Sequence, residues 1–404
     1  MTDVVQVSIE DIEQAADLIT AIALRTPMEE SRWLSALTGS SVMLKCENLQ
    51  RAGSFKIRGA YNRMSHLSAE EKARGVVAAS AGNHAQGVAL AAQTLGIKAT
   101  VFMPEGAPIP KEKATRGYGA DVVFHGRYLD DALVEARAFA EQTGAVLIHP
   151  FDNPYIVAGQ GTVGLEILEQ APDVETVVVP CGGGGLLAGI ALAVKAKRPG
   201  VRVYGVQAEG AAAYPPSLAA GRPVALKSMT TMADGIAVGL PGDVPFPAVR
   251  DVVDDVITVS EASLSGAVLA TLERAKLVLE PAGAAAVAAI LDDPDRFGTP
   301  TVGVLSGGNI DPLLLGKVIQ HGMAAAGRYL NLRIRIPDRP GGLATLLTEL
   351  GEAGANVIEV SHARIDADLS LDEVEVHLQL ETRGELHAEL VLARIRERGY
   401  RVFE

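Results

Sequence analysis

Two cysteines in 404 residues, Cys46 and Cys181, are too few for a disulfide framework and do not stand in metal-ligand spacing. A reducing compartment is the expectation, with Cys181 a small core residue. Aromatics make up only 4% of a chain that is 48% hydrophobic and carries 42 Gly and 21 Pro. That balance excludes a disordered chain and suits a helix-rich α/β enzyme better than an all-β one. Basic clusters are missing too: the formal net charge is -13, without a run of Lys or Arg, which argues against a nucleic-acid partner. Every long apolar stretch, such as Leu277 to Leu291, is broken by Glu, Pro or Gly short of a membrane span. The amino terminus carries Asp3, Glu10, Asp11 and Glu13 where a secretory signal would have a basic start and an apolar run. No nucleic acid, no membrane and a cytoplasmic location are therefore expected. The length exceeds one hydrophobic core, so two or three domains are expected as well.

From Val76 to about Leu305, short β-branched runs alternate with Ala-rich helical stretches. The runs are Val76–Ala79, Ala99–Phe102, Val122–Phe124, Val146–Ile148, Val177–Val179, Val203–Val206 and Val302–Leu305. Apolar runs without alternation mark strands buried on both faces, hence one or two parallel sheets covered by helices. The pattern changes after Gly327, and no lysine occurs beyond Lys317. Leu330–Ile336 alternates as a strand, Leu343, Leu346, Leu347 and Leu350 line one helix face, and Asn356–Ile365 and Val374–Leu380 read as strands. A helix over about Glu385–Arg398 and a strand Tyr400–Phe403 complete β-α-β-β-α-β, a ferredoxin-like order.

Four segments carry chemistry. Ser54-Phe55-Lys56-Ile57-Arg58-Gly59 places a lysine between a hydroxyl residue and an arginine, a Schiff-base candidate, although most lysines are solvated surface charges. Ser80-Ala81-Gly82-Asn83-His84 lies between a strand and a helix, where free N–H groups and a positive dipole end suit an α-carboxylate, or where it is an ordinary N-cap. Gly182-Gly183-Gly184-Gly185-Leu186 repeats that placement with four glycines that clear the helix start of side chains, so its amides can close on a phosphate; the alternative is a flexible turn. It lacks the Lys-Ser/Thr of a nucleotide loop and the acidic partner of a dinucleotide fingerprint. Ser306-Gly307-Gly308-Asn309 ends a strand, where parallel sheets meet ligands, unless it is a plain turn. Taken together, an imine-forming lysine, a carboxylate site, a phosphate cup and a hydroxyl at a strand end are what pyridoxal phosphate demands.

These segments, with Glu47-Asn48-Leu49-Gln50, Ala158–Thr162 and Glu280-Pro281-Ala282-Gly283-Ala284, resemble the pyridoxal-phosphate enzymes of fold type II, and within them the threonine dehydratases. The resemblance spans roughly residues 20 to 320. It implies two parallel-sheet α/β subdomains, with the cofactor on Lys56, which also serves as base at the substrate Cα. It implies further that Asn83 meets the ring hydroxyl, Gly182 to Leu186 hold the phosphate, Ser306 faces the pyridine nitrogen and Phe55 lines the cofactor. Ser80, Ala81, Gly82, Asn83 and His84 would bind an amino-acid substrate. A neutral serine at the ring nitrogen makes a weaker electron sink than a carboxylate and favours prompt β-elimination. Serine racemases of the family usually carry Ser where this chain has Ala81, which cannot move a proton, so elimination without efficient racemisation is expected. A serine or 3-hydroxyaspartate dehydratase, a racemase, a β-replacement enzyme or a non-enzymatic sensor are the alternatives on the same fold.

Glu209 and the carbonyl of Ala213 match two positions of the family's metal site, while Pro215 stands where a carboxylate is expected. That argues against a divalent ion and leaves room for a monovalent one. The carboxy-terminal module resembles an ACT domain through Asp338-Arg339-Pro340-Gly341 and its element order. By that resemblance Arg339, Gly341, Gly342, Leu343 and Asn356 would hold an amino-acid effector, and the modules would pair into a homodimer or homotetramer. The alternative is a helix start punctuated by Pro and Gly. The expected domains are a catalytic part over residues 1–327, with a smaller subdomain of about 53–152 inserted in it, and the ACT-like part over 328–404. His125, His149 and His321 read as ordinary structural or surface histidines.

Overall fold

The computed structural model describes residues 7–363 and 372–403. By its contacts the chain divides into two compact units, Met1–Leu315 and Gly316–Glu404. Strands of the first unit are β1 (Met28–Glu30), β2 (Val42–Lys45), β3 (Val76–Ala79), β4 (Ala99–Met103), β5 (Asp121–Phe124), β6 (Val146–Leu147), β7 (Thr176–Pro180), β8 (Arg202–Ala208), β9 (Asp255–Val259) and β10 (Thr301–Val304). A six-stranded sheet runs β1-β2-β10-β7-β8-β9, parallel except for the β1/β2 pair. A four-stranded, all-parallel sheet runs β5-β4-β3-β6. Every residue of β4, β7 and β10 is buried, which is why these runs show no polar alternation. Strands β1, β2 and β9 are additions to the sequence reading. Only Val256 and Val259 of the edge strand β9 are buried and β1 spans three residues, so neither presents a continuous apolar run.

The strand orders decide where a ligand can sit. In the larger sheet the chain passes from β7 to β8 and β9 on one side, then returns to lay β10 against the other side of β7. In the smaller sheet β3, β4 and β5 run one way and β6 is added on the other side of β3. A crevice opens at the carboxyl ends of strands where the winding reverses in this manner. Four loops qualify, those following β3, β6, β7 and β10.

Helix packing fixes those loops. The helix Pro154–Gln170 crosses the helix Lys56–Ser65 so closely that a Cβ at Gly159 would lie 2.7 Å from the Arg58 carbonyl oxygen and from Gly59 Cα. Beneath this crossing, Arg58 is fully buried and meets Glu47 at 2.7 and 2.8 Å and Glu166 at 2.7 and 3.1 Å. The buried Lys45 ammonium joins them, 2.5 Å from Glu166 and 2.7 Å from Gln170. Two cations and two carboxylates thus neutralise one another out of water. Burial raises the Glu47 carboxyl most strongly, but Arg58, the Thr26 hydroxyl and Lys45 together overcome it and hold that group below its usual range.

The second unit contains β11 (Tyr329–Pro337), the helix Gly342–Glu352, β12 (Asn356–Ala363), β13 (Glu373–Glu381), the helix Glu385–Glu397 and β14 (Arg401–Phe403). Residues 364 and 365 of the strand expected to end at Ile365 lie outside the described residues. The sheet is antiparallel in the order β12-β13-β11-β14, a ferredoxin-like βαββαβ. Leu332, Ile334 and Ile336 alternate inward with Val374, Val376, Leu378 and Leu380, and both helices cover that face with Leu346, Leu350, Val391 and Ile395. Among the described residues no helix is long and apolar enough to cross a membrane.

Candidate active site

The loop carrying Lys56 is pinned directly to the end of β10. Ser54 bridges Gly307, and the Phe55 amide donates to the Ser306 carbonyl at 3.2 Å. Lys56 therefore starts its helix beside Ser306, which is buried. Its Nζ donates to the Pro150 carbonyl at 3.0 Å and lies 5.1 Å from the Phe55 ring centre. Burial pushes the ammonium down to about 8, with the Glu280 carboxylate pulling the other way. A lysine so placed is half-buried, poorly solvated and able to lose its proton near neutrality.

The loop after β3 turns into the helix Asn83–Leu95. Ser80 Oγ accepts the Gly82 amide at 3.1 Å, while the amides of Ala81, Asn83 and His84 find no acceptor among the described residues. These amides form the open helix start expected for a carboxylate. The His84 side chain points elsewhere: its buried ring donates from Nε2 to the Ile148 carbonyl at 2.8 Å, and burial, helped by Lys56, lowers it to about 3. It stays neutral and anchors the turn.

After β7, Gly184 is the N-cap of the helix Gly185–Lys197 and has φ +102°, a left-handed conformation that a side chain would strain. The amides of Gly183, Gly184, Gly185 and Leu186 donate to no group among the described residues. Phe151 packs beneath Gly183 and Gly185, where Cβ atoms would collide with it, and Tyr214 Oη donates to the Gly183 carbonyl at 3.2 Å. A bare, propped-up row of free amides fits a phosphate group, and the half-buried amine of Lys56 fits an aldehyde carbon, so the residues present suit pyridoxal phosphate.

Asn83 ties three segments together. Its Oδ1 accepts from Asn309 Nδ2 at 2.9 Å, and its Nδ2 donates to Glu280 Oε1 at 2.5 Å. Asn309 is set in turn by donating to the Ala52 carbonyl at 2.6 Å. Glu280 is buried, and burial, with Asp234 adding to it, raises its carboxyl to about 7. Lys111, also buried, binds Asp234 at 2.7 Å and stands beside Gly82, where its Nζ would be 3.9 Å from a Cβ.

Several of these contacts carry no signal in the sequence. Pro150 and Phe151, in the loop after β6, link the lysine to the glycine row. Lys111 and Asp234 stand in no motif, and Glu280 and Asn309 lie in motif stretches without a stated role. Only the strand order, which puts the loop after β6 at a winding reversal, could have signalled Pro150 and Phe151. His149 Nδ1 accepts the Asp152 amide at 2.8 Å, a structural role. Cys181 is buried and its thiol is pushed up by burial.

Glu209 is exposed, and the Ala213 carbonyl accepts from Ser217 Oγ at 2.6 Å. No group of three His, Cys, Asp or Glu side chains placed to hold a metal occurs among the described residues. In the second unit, the Arg339 backbone amide donates to the Pro337 carbonyl, Gly341 caps the helix Gly342–Glu352 with φ +87°, Leu343 lies in its first turn and the exposed Asn356 reaches Glu381 at 3.3 Å.

The profile of the pyridoxal-phosphate dependent enzymes matches residues 19–308, and that of the ACT domain matches residues 331–399. The L-threonine ammonia-lyase of Thermotoga maritima is 47% identical over 396 residues, 98% of this chain and 99% of the relative. Among solved structures, the T.th. threonine deaminase matches with a TM-score of 0.72 and 45% identity, over 75% of this chain and 99% of that one. Maize serine racemase matches with a TM-score of 0.74 and 38% identity, over 78% and 97%.

Proposed function

The chain belongs to the pyridoxal-phosphate dependent enzymes, and from that membership we propose that it is an L-threonine ammonia-lyase carrying an ACT regulatory domain. It eliminates water from L-threonine, and from L-serine, giving 2-oxobutanoate or pyruvate and ammonia. The observation that carries the chemistry is the Lys56 amine, lowered to about 8 by burial and held at the Pro150 carbonyl between two open helix starts. When bound, the cofactor supplies an electron sink conjugated to the substrate Cα. Lys56 takes the Cα proton as general base. The amides of Ala81, Asn83 and His84 hold the substrate carboxylate, those of Gly182 to Leu186 the cofactor phosphate. Ser306 faces the ring nitrogen as a neutral partner, and Asn83 meets the ring hydroxyl.

A racemase is the second reading, favoured by the resemblance to maize serine racemase. It needs a second proton-moving group across the substrate from Lys56. Ala81 has none, which supports one-sided elimination. An amino acid at Arg339, Gly341, Gly342, Leu343 and Asn356 is the proposed effector, with the chain paired as a homodimer or homotetramer in the cytoplasm. A monovalent cation near Glu209 and Ala213 is part of the same proposal. Comparing kcat/KM for threonine, serine and 3-hydroxyaspartate tests the substrate assignment. Threonine is expected to lead; a preference for 3-hydroxyaspartate, or D-serine formed faster than pyruvate, would overturn it.

A further inference from the structure

Glu280 stands apart from the other carboxylates of the first unit. Its side chain is buried, 197 positions from Asn83 in sequence, yet its Oε1 accepts the Asn83 amide at 2.5 Å. Its backbone amide donates to the Gly307 carbonyl at 3.2 Å, and a Cβ at Gly307 would collide with Oε1. Its other oxygen, Oε2, has no hydrogen-bond partner. An unpaired oxygen on a buried carboxyl is costly, so its retention beside the reacting lysine calls for a reason.

The hydrogen-bond inventory of Asn83 supplies one. The amide has two N–H donors and one oxygen. Asn309 occupies the oxygen, and its own orientation is set by the Ala52 carbonyl; Glu280 takes one of the two N–H groups. With both ends tied, the amide cannot flip, and the group left for a ligand includes a donor. We propose that Glu280 is a positioning residue for the reaction, fixing the Asn83 amide so that its second N–H is the donor offered to the oxygen on the cofactor ring. This rests on the reading of Asn83 as the ring-hydroxyl partner. A charged acceptor polarises the amide and strengthens that donor, which stabilises negative charge on the ring oxygen.

The charged groups acting on Glu280 are Lys56, Lys111 and Asp234, besides the Asn83 amide. Burial and Asp234 raise its carboxyl to about 7, while Lys111, Asn83 and Lys56 oppose them. The hold on Asn83 therefore strengthens as pH rises through neutrality and Glu280 ionises.

The test uses full-length protein loaded with pyridoxal phosphate, reading the cofactor dissociation constant and the visible absorption band against pH. Glu280→Gln keeps the volume and removes the charge. It is expected to weaken cofactor binding about tenfold, the loss of one charge-assisted hydrogen bond, and to abolish the spectral change near pH 7. Adding Asn83→Ala to Glu280→Gln is expected to add nothing beyond Asn83→Ala alone, because both act through one contact. Should Glu280→Gln fail to fold, Asn83→Asp places a second carboxylate there, and its cofactor affinity is expected to fall as pH rises. Additive effects, a band following the wild-type pH course in Glu280→Gln, or pH-independent affinity in Asn83→Asp would overturn the proposal. If wild-type protein shows no band dependent on Lys56, the cofactor-site reading itself has failed; a normal band indifferent to Glu280 sinks only this inference.

Discussion

At the scale of single residues, the Lys56 amine is governed chiefly by desolvation, which pushes it down to about 8. Only the unprotonated amine attacks an aldehyde. Uptake of pyridoxal phosphate by the apo-protein is thus expected to quicken with pH, with a midpoint near 8 and a plateau above it, measurable by stopped-flow absorbance. A midpoint in the usual lysine range would show an ordinary solvated amine. The same shift has a stability sign: the unfolded chain binds more protons than the folded one between about pH 8 and the usual lysine range, so the apo-protein gains stability as pH rises through that window. Replacing Lys56 by Ala is expected to lower turnover by at least ~10⁴-fold, the upper end of what losing a general base removes. Lys56 and the glycine row were legible in the sequence because imine formation demands one residue type and close amide approach excludes side chains. Glu280, Asn309 and Pro150 were not, because they act by hydrogen bonds across 94 to 257 positions of sequence. A carboxylate or a carbonyl is chemically ordinary until the fold says what it touches.

Helices and strands carry the next level of argument. The helix Pro154–Gln170 holds Gly159 against the Lys56 helix and Glu166 against Arg58 and Lys45. Removing Glu166 with Ala leaves the buried Lys45 without a carboxylate and Arg58 with Glu47 alone, a loss of about 3–5 kcal/mol by urea unfolding if the charges stay dry. A loss below about 1 kcal/mol would mean that water already screens the cluster. At the glycine row, Gly184→Ala meets both a positive φ and a collision with Tyr214. It is expected to weaken cofactor binding by about one to two orders of magnitude, following a strain of about 1–3 kcal/mol. Strands buried on both faces were legible as apolar runs, whereas β1 was too short and β9 too open to stand out, and β2 lies outside the β/α alternation that begins at Val76. The sequence places Ser80 to His84 between a strand and a helix, whereas Asn83 and His84 already form the first turn of the helix Asn83–Leu95. Strand order was the hidden variable: the winding reversals that gather four loops into one site depend on which strands pair, and a single sequence does not print its pairings.

For the molecule as a whole, each unit has its own core. The first packs residues such as Ile12, Val177, Leu187 and Val302 around its larger sheet, the second Leu332, Val376, Leu346 and Ile395. Deleting residues 331–404 is therefore expected to leave turnover intact and to abolish any response to an amino-acid effector, read by activity with and without candidate amino acids. Loss of all activity would assign the second unit a structural role. The change of composition after Gly327 made the ferredoxin-like module legible as a separate fold, since its alternating strands are open on one face. The most direct test of the central claim is to incubate purified protein with pyridoxal phosphate and L-threonine, without any thiol, and to measure 2-oxobutanoate, ammonia and D-allo-threonine, the product of inversion at Cα, together. Equal amounts of 2-oxobutanoate and ammonia, no D-allo-threonine, and no product from the Lys56→Ala variant are the expected result. D-allo-threonine formed without ammonia, or product formation that survives loss of Lys56, would contradict it.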